Sequence, residues 1–343
     1  MNIAILLPLK EKYTEIGCGA VSILVHTHLK KSKYKKTTRV YGSNIANPLD
    51  LNHFQSLESN RNFFSNFSYV KSFEKKIFLK TDIIELHNRP KYFFQLKRKF
   101  PDKKFILFFH NDPLDQIGSI TLSDRKFLYE KVDRLVFLSV WMKDQFFKDL
   151  KIIDTSKIKI FYPGISALKK FPTKKNIILF VGKLNHSKGY DIYIDAVCNF
   201  LKTHKSWKAM AVGSESRRVI PKNRKVFEFG EVTNKKVLEL ISQSKITVAP
   251  SKWNEPLGRL PLESASRGSF PIVSNKGGLI ETIVDDFSIL KKNNSAELLK
   301  KINFLANNPK KLLLMQKNIF KKFNYTLKKT TSHIDNIRQG LFK

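Results

Sequence analysis

Two glutamates flank the start of a predicted helix in the stretch Pro250–Gly268. Glu255 lies in the loop before this helix, and the missing Cβ of Gly258 lets the loop backbone approach a ligand closely. The helix is predicted to begin near Leu257–Arg259, with Glu263 one to two turns further on. The free N–H groups of a helix start bind anions, and carboxylates accept hydrogen bonds from sugar hydroxyls. The stretch therefore predicts a site for a molecule with sugar and phosphate parts, although helix starts also favour glutamates without any ligand.

A loop with two lysines follows the strand predicted at Asn176–Val181. It runs from Gly182 to Gly189 and contains Lys183 and Lys188. Two carboxylates would repel a diphosphate unless cations lie beside it, and lysine ammonium groups supply that charge. Glutamates, a helix start and two lysines together are typical of a pocket for a nucleotide-diphosphate-sugar.

Short apolar runs alternate with amphipathic stretches, which is typical of α/β proteins with parallel sheets covered on both faces. A first series of strands is predicted at Asn2–Leu7, Asp82–Leu86, Lys104–Phe109, Arg134–Leu138 and Lys157–Tyr162. A second series is predicted at Asn176–Val181, Trp207–Val212, Ile246–Ala249 and Phe270–Ser274. Helices are predicted at Ala20–Lys31, Pro90–Phe100, Val140–Leu150, Tyr190–His204, Asn234–Gln243 and Arg259–Arg267, and from Ser295 onward. Two series of strands predict two doubly wound, Rossmann-like domains.

The boundary between the two predicted domains falls near Ile165–Thr173, where prolines and a glycine interrupt the pattern. We expect a first Rossmann-like domain at 1–168, a nucleotide-sugar-binding domain at 169–325, and a helix at 326–343 that packs back on the first domain. Ligands of doubly wound sheets bind beyond the carboxyl ends of the strands. Two such domains facing each other would form a cleft lined by loops from both.

The composition restricts the class of protein. The chain has 343 residues, enough for about two domains, and 42% are hydrophobic, which excludes a disordered or fibrous chain. Its two cysteines, Cys18 and Cys198, exclude a disulfide framework and a cysteine zinc site and favour a reducing cytoplasm. No apolar run approaches the ~20 residues of a membrane span. The apolar segment at 2–7 is interpreted as a buried first strand, not as a signal peptide.

The formal net charge is +34. Such a charge predicts an anionic partner or surface, such as nucleic acid, acidic phospholipid or phosphorylated glycolipid. The chain is also rich in Lys, Asn, Ile and Phe, so codon bias would produce the same charge. Both explanations stay open. The expected location is the cytoplasm, with peripheral contact to the inner face of the cytoplasmic membrane.

The order of motifs over Asn176–Glu281 resembles one known family. The two-lysine loop is followed by Pro-Ser and Glu-Pro-Leu-Gly at 250–258, by Glu263 and Gly268, by Pro-Ile-Val-Ser at 271–274 and by Gly-Gly at 277–278. In this order the motifs resemble the retaining family-4 glycosyltransferases of GT-B fold. The stretch 85–90 (Glu-Leu-His-Asn-Arg-Pro) looks most like bacterial lipopolysaccharide-core mannosyl- or glucosyltransferases.

The resemblance implies transfer of a hexose, with retention, from a nucleotide-diphosphate-sugar to a hydroxyl of a saccharide or glycolipid of the cell envelope. It implies that Lys183 and Lys188 hold the diphosphate, that Glu263 holds the ribose, and that Glu255 contacts the donor sugar. It implies that His110 reaches a sugar hydroxyl from the opposite domain, 1–168, which lies on the acceptor side. It also implies that the reaction needs no metal or other cofactor. The catalytic residues implied are Glu255, His110 and Lys188, and the donor-binding residues are Gly17, Gly19, Gly182, Lys183, Lys188, Leu257, Gly258, Arg259 and Glu263.

The other histidines are interpreted more conservatively. His26 and His28 are two residues apart on a predicted helix, so they do not share a face, and this argues against a zinc site. His87 follows a strand, where a place on the acceptor side of the cleft and a structural hydrogen bond are equally compatible with the sequence.

Three other functions fit parts of the sequence. A nucleotide-sugar epimerase or a phosphorylase-like enzyme of the same fold would share the architecture. A nucleic-acid-binding protein would explain the charge, but no nucleic-acid-binding module is recognised. A membrane-surface protein without catalysis would leave the pocket unexplained.

Overall fold

The chain folds into two units, each built on one parallel β-sheet. The structure is a computed structural model that describes residues 1–60, 65–151, 154–216 and 224–342. Unit 1 comprises Met1–Gly164 and Leu327–Lys343, and unit 2 comprises Ile165–Thr326. The sequence analysis placed the corresponding boundaries at 168 and 325.

The sheet of unit 1 is built from apolar strands whose side chains are buried on both faces. Its strands, within the described residues, are β1 (Ile3–Leu6), β2 (Thr38–Ser43), β3 (Phe54–Leu57), β4 (Ile83–His87), β5 (Lys104–Phe109), β6 (Arg134–Phe137) and β7 (Ile158–Ile160). They lie in the order β3-β2-β1-β4-β5-β6-β7, and every recorded pair is parallel. The helices are α1 (Ala20–Leu29), α2 (Ser65–Lys76), α3 (Lys91–Lys99), α4 (Leu122–Lys131), α5 (Val140–Phe147) and, at the far end of the chain, α11 (Leu327–Gln339).

Unit 2 repeats the same winding. The strands described there are β8 (Lys175–Val181), β9 (Lys208–Val212), β10 (Val226–Glu228), β11 (Ser244–Ala249), β12 (Phe270–Ser274) and β13 (Ile289–Leu290). Their order is β10-β9-β8-β11-β12-β13, again parallel throughout. The helices are α6 (Tyr190–Thr203), α7 (Asn234–Gln243), α8 (Leu260–Arg267), α9 (Ser295–Asn307) and α10 (Pro309–Lys322).

In both sheets the order of strands reverses at the first strand, because later strands are added on its other side. In unit 2 the chain winds outward from β8 through β9 and β10, then returns to β11 on the other side of β8. The connections on either side of such a point leave a crevice beyond the carboxyl ends of the two central strands. The loop after β8 and the loop after β11 therefore emerge beside each other. In unit 1 the equivalent loops follow β1 and β4.

The predicted fold class, two doubly wound α/β domains, is confirmed. Strand β5, helix α7 and strand β12 have the bounds that the sequence analysis gave them. The elements β2, β3, α2 and α4 lie in stretches where the sequence analysis assigned none. For helix α4 the reason is that hydrophobic Leu122 and Phe127 lie on its exposed side, so apolar residues do not mark one face of the helix. Within the described residues, no helix has the length and apolarity to cross a bilayer.

Helix α11 belongs to unit 1 because a buried ion-pair network joins it to the sheet. Arg338 donates from Nε and Nη2 to the two carboxylate oxygens of Glu85 on β4, over 2.6 and 2.9 Å. Its Nη1 also donates to Asp335 on the same helix, and Asp335 accepts from the Ser32 hydroxyl at 2.7 Å. Glu85 and Arg338 are 0% and 3% exposed. Burial alone would raise the pKa of Glu85, but the adjacent Arg338 guanidinium lowers the pKa to about 2.

We expect Arg338→Met to destabilise unit 1 by about 3–5 kcal/mol, because the substitution leaves the Glu85 charge buried without its cation. Native-state hydrogen exchange of peptides that span β4 measures this loss, and Arg98→Met on the exposed end of α3 is the matched control. A carboxyl whose pKa is lower in the folded chain stabilises the fold above its ordinary pKa, and that stability disappears as pH falls toward 2. The wild-type chain should lose protection of β4 over this acidic range. Equal protection in both variants would contradict the network's role.

Candidate active site

The lysine turn, which we define as Gly182–Gly189, follows directly from the central strand of unit 2. The side chain of Asn185 organises it by accepting a hydrogen bond from the Lys188 backbone N–H at 3.1 Å. A single 3₁₀ turn over His186–Lys188 then leads into α6. Lys183 is exposed, and no ion pair is recorded for it among the described residues. The turn therefore presents Lys183 and Lys188 beyond the carboxyl end of β8.

The acidic loop, which we define as Pro250–Gly258, follows β11 and packs against the lysine turn. Gly189 has φ 70°, and a Cβ built on it would lie 1.9 Å from the Pro250 carbonyl oxygen. The carbonyl of Ser187 accepts hydrogen bonds from the Lys252 N–H at 2.9 Å and from the Ser251 hydroxyl at 3.2 Å. These contacts, made by the backbone and by the short side chain of Ser251, hold the two loops together.

The Lys188 ammonium donates to Glu255 Oε1 over 2.7 Å. Ser251 donates to the same oxygen over 2.8 Å. The side chains of Lys188 and Glu255 are 26% and 12% exposed, so the pair is only partly accessible to water. Lys188 Nζ also lies 4.8 Å from the ring centroid of Trp253, where an aromatic face attracts a cation. Two sequence-predicted site residues are therefore in direct contact, and Ser251 and Trp253 complete their surroundings.

The backbone of Glu255 is held from its other side. Its carbonyl accepts from the Gly278 N–H at 2.8 Å. The preceding Gly277 has φ 60°, and a Cβ there would lie 2.2 Å from the same carbonyl oxygen. The close approach explains why position 277 is a glycine.

The start of α8 carries the other two predicted groups. The helix begins at Leu260, slightly later than expected, with Arg259 as its N-cap residue. Arg259 Nε donates to Glu263 Oε1 over 3.1 Å, and the Glu263 side chain is 6% exposed. Among the residues described in unit 2, no acceptor is found for the backbone N–H groups of Leu257 and Gly258. Cationic side chains and unsatisfied N–H groups thus lie around the acidic loop, as an anionic ligand requires.

A carboxylate of the chain itself lies next to the glycine loop of unit 1. Gly17 has φ 73°, and Gly19 is the N-cap residue of α1. Glu11 Oε1 accepts from the Ser22 N–H in the first turn of α1 at 2.9 Å. A Cβ on Gly19 would lie 2.5 Å from that same oxygen. Glu11 therefore caps the start of α1, beside two glycines for which the family resemblance implied a donor-binding role.

His110 follows β5 and lies at the sheet edge where β4 and β5 end. Its backbone N–H donates to Asn88 Oδ1 at 2.7 Å. Its ring atom Nε2 shares a hydrogen bond of 2.9 Å with His87 Nδ1. Asn88 and Arg89 have φ 61° and 54°, a backbone conformation that L-residues rarely adopt. The chain bends sharply after β4, and this bend holds His110 by its backbone. Burial lowers the pKa of His87, and it lowers the pKa of His110 well below the usual value, with the neighbouring His87 adding to that effect.

The structure groups the sequence-predicted residues as follows. Lys188 and Glu255 touch, Arg259 and Glu263 touch, and Gly182, Lys183, Leu257 and Gly258 lie in the loops that carry them. Gly17, Gly19 and His110 belong to unit 1. The sequence analysis gave no role to Ser251, which it named only within the Pro-Ser motif. It missed Trp253, which carried no motif, and Glu11, which is eight residues before Gly19. Within the described part of the chain, no three His, Cys, Asp or Glu side chains are grouped to hold a metal.

The comparisons with known proteins address both units. Residues 165–322 match the family model described as "Glycosyl transferases group 1". Residues 165–322 are therefore similar to the group 1 glycosyltransferases. The match covers almost all of unit 2, including the lysine turn, the acidic loop and α8. The chain is also 25% identical over 269 residues to spore coat protein SA of Bacillus subtilis, an alignment that covers 67% of this chain and 70% of that protein. It is 25% identical to glycosyltransferase MJ1607 of Methanocaldococcus jannaschii over 62% of this chain and 64% of that protein.

Solved structures extend the likeness over both units. The structure of HepE from Anabaena in complex with UDP-glucose superposes with a TM-score of 0.78, over 99% of this chain and 100% of that chain, at 14% sequence identity. The two parallel-sheet units therefore have the GT-B architecture, as the sequence resemblance implied.

Gly189→Ala tests how closely the lysine turn depends on the acidic loop. A side chain in the left-handed region costs about 1–2 kcal/mol. We expect this substitution to destabilise unit 2 by clearly more, because its Cβ also meets the carbonyl oxygen of Pro250. Gly230→Ala is the matched control, since Gly230 has φ 69° and nothing within 4 Å of an added Cβ. Urea unfolding in a Trp141→Phe background, where Trp207 and Trp253 of unit 2 supply the tryptophan fluorescence, compares the two variants with their parent. Equal losses would show that the contact with Pro250 contributes nothing.

Proposed function

We propose that this glycosyltransferase moves a hexose from a nucleotide-diphosphate-sugar to a hydroxyl of a saccharide or glycolipid acceptor, with retention of anomeric configuration. The observation that carries the proposal is the contact between Lys188 and Glu255 beside the start of α8. A cation, a carboxylate and unsatisfied N–H groups at one place match the charges of a diphosphate joined to a sugar. UDP-glucose, which is bound in the HepE structure, is the first donor to test.

Each group of unit 2 has a proposed role. Lys183 and Lys188 neutralise the diphosphate, helped by the N–H groups of Leu257 and Gly258. Glu263 holds the ribose hydroxyls, and Arg259 keeps its carboxylate in place. Glu255 binds the donor sugar near the reacting carbon. Binding of a diphosphate draws Lys188 away from Glu255, which frees that carboxylate to accept hydrogen bonds from the sugar.

Stabilisation of the leaving nucleoside diphosphate is the main catalytic task. In the proposed reaction the bond between the anomeric carbon and the phosphate oxygen breaks, and the acceptor oxygen bonds to the same face of that carbon. The acceptor proton goes to the departing phosphate. Prearranged charges aimed at a leaving group supply the largest contribution in most enzymes of this kind. The proposal assigns this task to Lys188, Lys183 and the backbone N–H groups, without a metal or other cofactor.

We further propose that the acceptor belongs to the cell envelope and that unit 1 recognises it. The family resemblance of the stretch 85–90, the net charge of +34 and the name of the relative spore coat protein SA support this assignment. His110, Gly17 and Gly19 are the proposed contributions of unit 1 to the donor sugar. Movement of Glu11 away from the start of α1 would make room there for an anionic group.

Glu255→Gln and Lys188→Ala should each lower turnover by a factor on the order of 10²–10³, the cost of losing one prearranged charge partner. Thermal-shift screening against UDP-, GDP- and ADP-sugars first identifies the donor, since a bound ligand raises the unfolding temperature. Acceptor-dependent release of nucleoside diphosphate then measures turnover. Lys252→Ala is the matched control, because Lys252 lies in the same loop but pairs with Asp191 at 2.5 Å. Near wild-type turnover in either site variant, with both folded, would refute the assignment.

We propose that the basic surface docks the enzyme on an anionic membrane. Co-sedimentation with liposomes tests this, with neutral phosphatidylcholine as the control for vesicles that contain an anionic phospholipid. We expect binding to the anionic vesicles alone, and its loss in about 0.5 M salt, because salt screens exposed charges beyond a few ångströms. Equal partition onto both kinds of vesicle would contradict the proposal.

A further inference from the structure

His87 and His110 share one hydrogen bond inside unit 1. His87 Nδ1 and His110 Nε2 are 2.9 Å apart, and the ring centroids are 5.1 Å apart. The His87 ring is stacked on Phe108 at 4.5 Å with an interplanar angle of 6°, which holds its plane. His87 is 1% and His110 8% exposed. Burial lowers the pKa of both rings, so each is neutral at physiological pH.

Two neutral rings joined in this way have two possible arrangements of protons. In the first, His110 carries its proton on Nε2 and donates to His87 Nδ1, so His87 carries its own proton on Nε2. In the second, His87 donates from Nδ1, and His110 carries its proton on Nδ1. The two rings change together, because one proton must lie in the shared bond. His110 Nδ1 is an acceptor in the first arrangement and a donor in the second.

Glu85 distinguishes the two arrangements. Its Oε2 lies 3.9 Å from His87 Nε2, and both side chains are buried. Arg338 keeps this carboxylate ionised through its two hydrogen bonds. The first arrangement places an N–H group beside the carboxylate, whereas the second places a nitrogen lone pair beside it. Because electrostatic interactions are strong in a buried environment, the first arrangement has the lower free energy. The other charged groups that act on His87 are Arg338 and Glu11.

We propose that His87, oriented by Glu85, is a positioning residue that fixes His110 as the Nε2–H tautomer, so that His110 Nδ1 accepts a hydrogen bond from a hydroxyl of the donor sugar. His110 Nδ1 is buried and has no hydrogen-bond partner among the described residues, so it is available to a ligand. His87 Nε2 has no hydrogen bond there either, and the Glu85 carboxylate acts on it through its charge over 3.9 Å. The second half of the proposal rests on the proposed function of His110. The first half, the tautomer, does not.

The tautomers are measured directly by long-range ¹H–¹⁵N correlation NMR of the full chain labelled with ¹⁵N-histidine. His87→Asn and His110→Gln assign the two rings. We expect both rings to carry the proton on Nε2 and a bare Nδ1. A proton on Nδ1 of either ring, or on both nitrogens of one ring, would overturn the proposal whatever the enzyme transfers.

The functional half is tested by calorimetry with UDP-glucose and UDP as probes. In His87→Leu the acceptor for His110 Nε2–H is lost, and we expect the affinity for UDP-glucose to fall about tenfold, the value of one net hydrogen bond, while that for UDP stays unchanged. In His87→Asn, which has the size of Leu, the amide oxygen replaces Nδ1 and should restore the wild-type difference. Equal losses for both probes, or no rescue by Asn, would make His87 merely structural. Absence of UDP binding in wild type would refute UDP-sugars as donors and leave the NMR result standing.

Discussion

The contact between Lys188 and Glu255 depends on the winding of a parallel sheet. The two residues are 67 positions apart, and they meet because β8 and β11 are neighbours at the point where the strand order reverses. The loops that follow these strands have to emerge side by side. Gly189 and the Ser187 carbonyl then let the two loop backbones come into contact. The positions of the two charged side chains therefore follow from the path of the backbone.

The same constraint operates in unit 1 with different chemistry. Glu11 lies in the loop after β1, and the histidine pair lies at the ends of β4 and β5. The buried Glu85 at the centre of the sheet joins that edge to α11. A buried ion pair of this kind contributes little net stability, but loss of one partner is costly. Arg338 thus has two consequences. It holds the last helix on unit 1, and it keeps a negative charge next to His87.

Some of this was predictable from the sequence and some was not. Strands such as Lys104–Phe109 are continuous apolar runs, and their bounds follow from local composition. The glycines, lysines and glutamates of unit 2 were identified because their order along the chain is specific. The pairing of Lys188 with Glu255, of Arg338 with Glu85 and of His87 with His110 was not predicted, because each joins residues between 23 and 253 positions apart. Only the tertiary fold brings such residues together. Glu11 was missed for a similar reason, since its side chain reaches α1 from a loop without regular structure.

A crystal structure of the protein with a bound nucleoside diphosphate tests the central claim most directly. The account predicts diphosphate oxygens within about 3 Å of Lys188 Nζ, the usual length of such a charged hydrogen bond, next to the N–H groups of Leu257 and Gly258. It also predicts that Lys188 has left Glu255. A nucleotide bound elsewhere, with the Lys188–Glu255 contact still intact, would contradict the account.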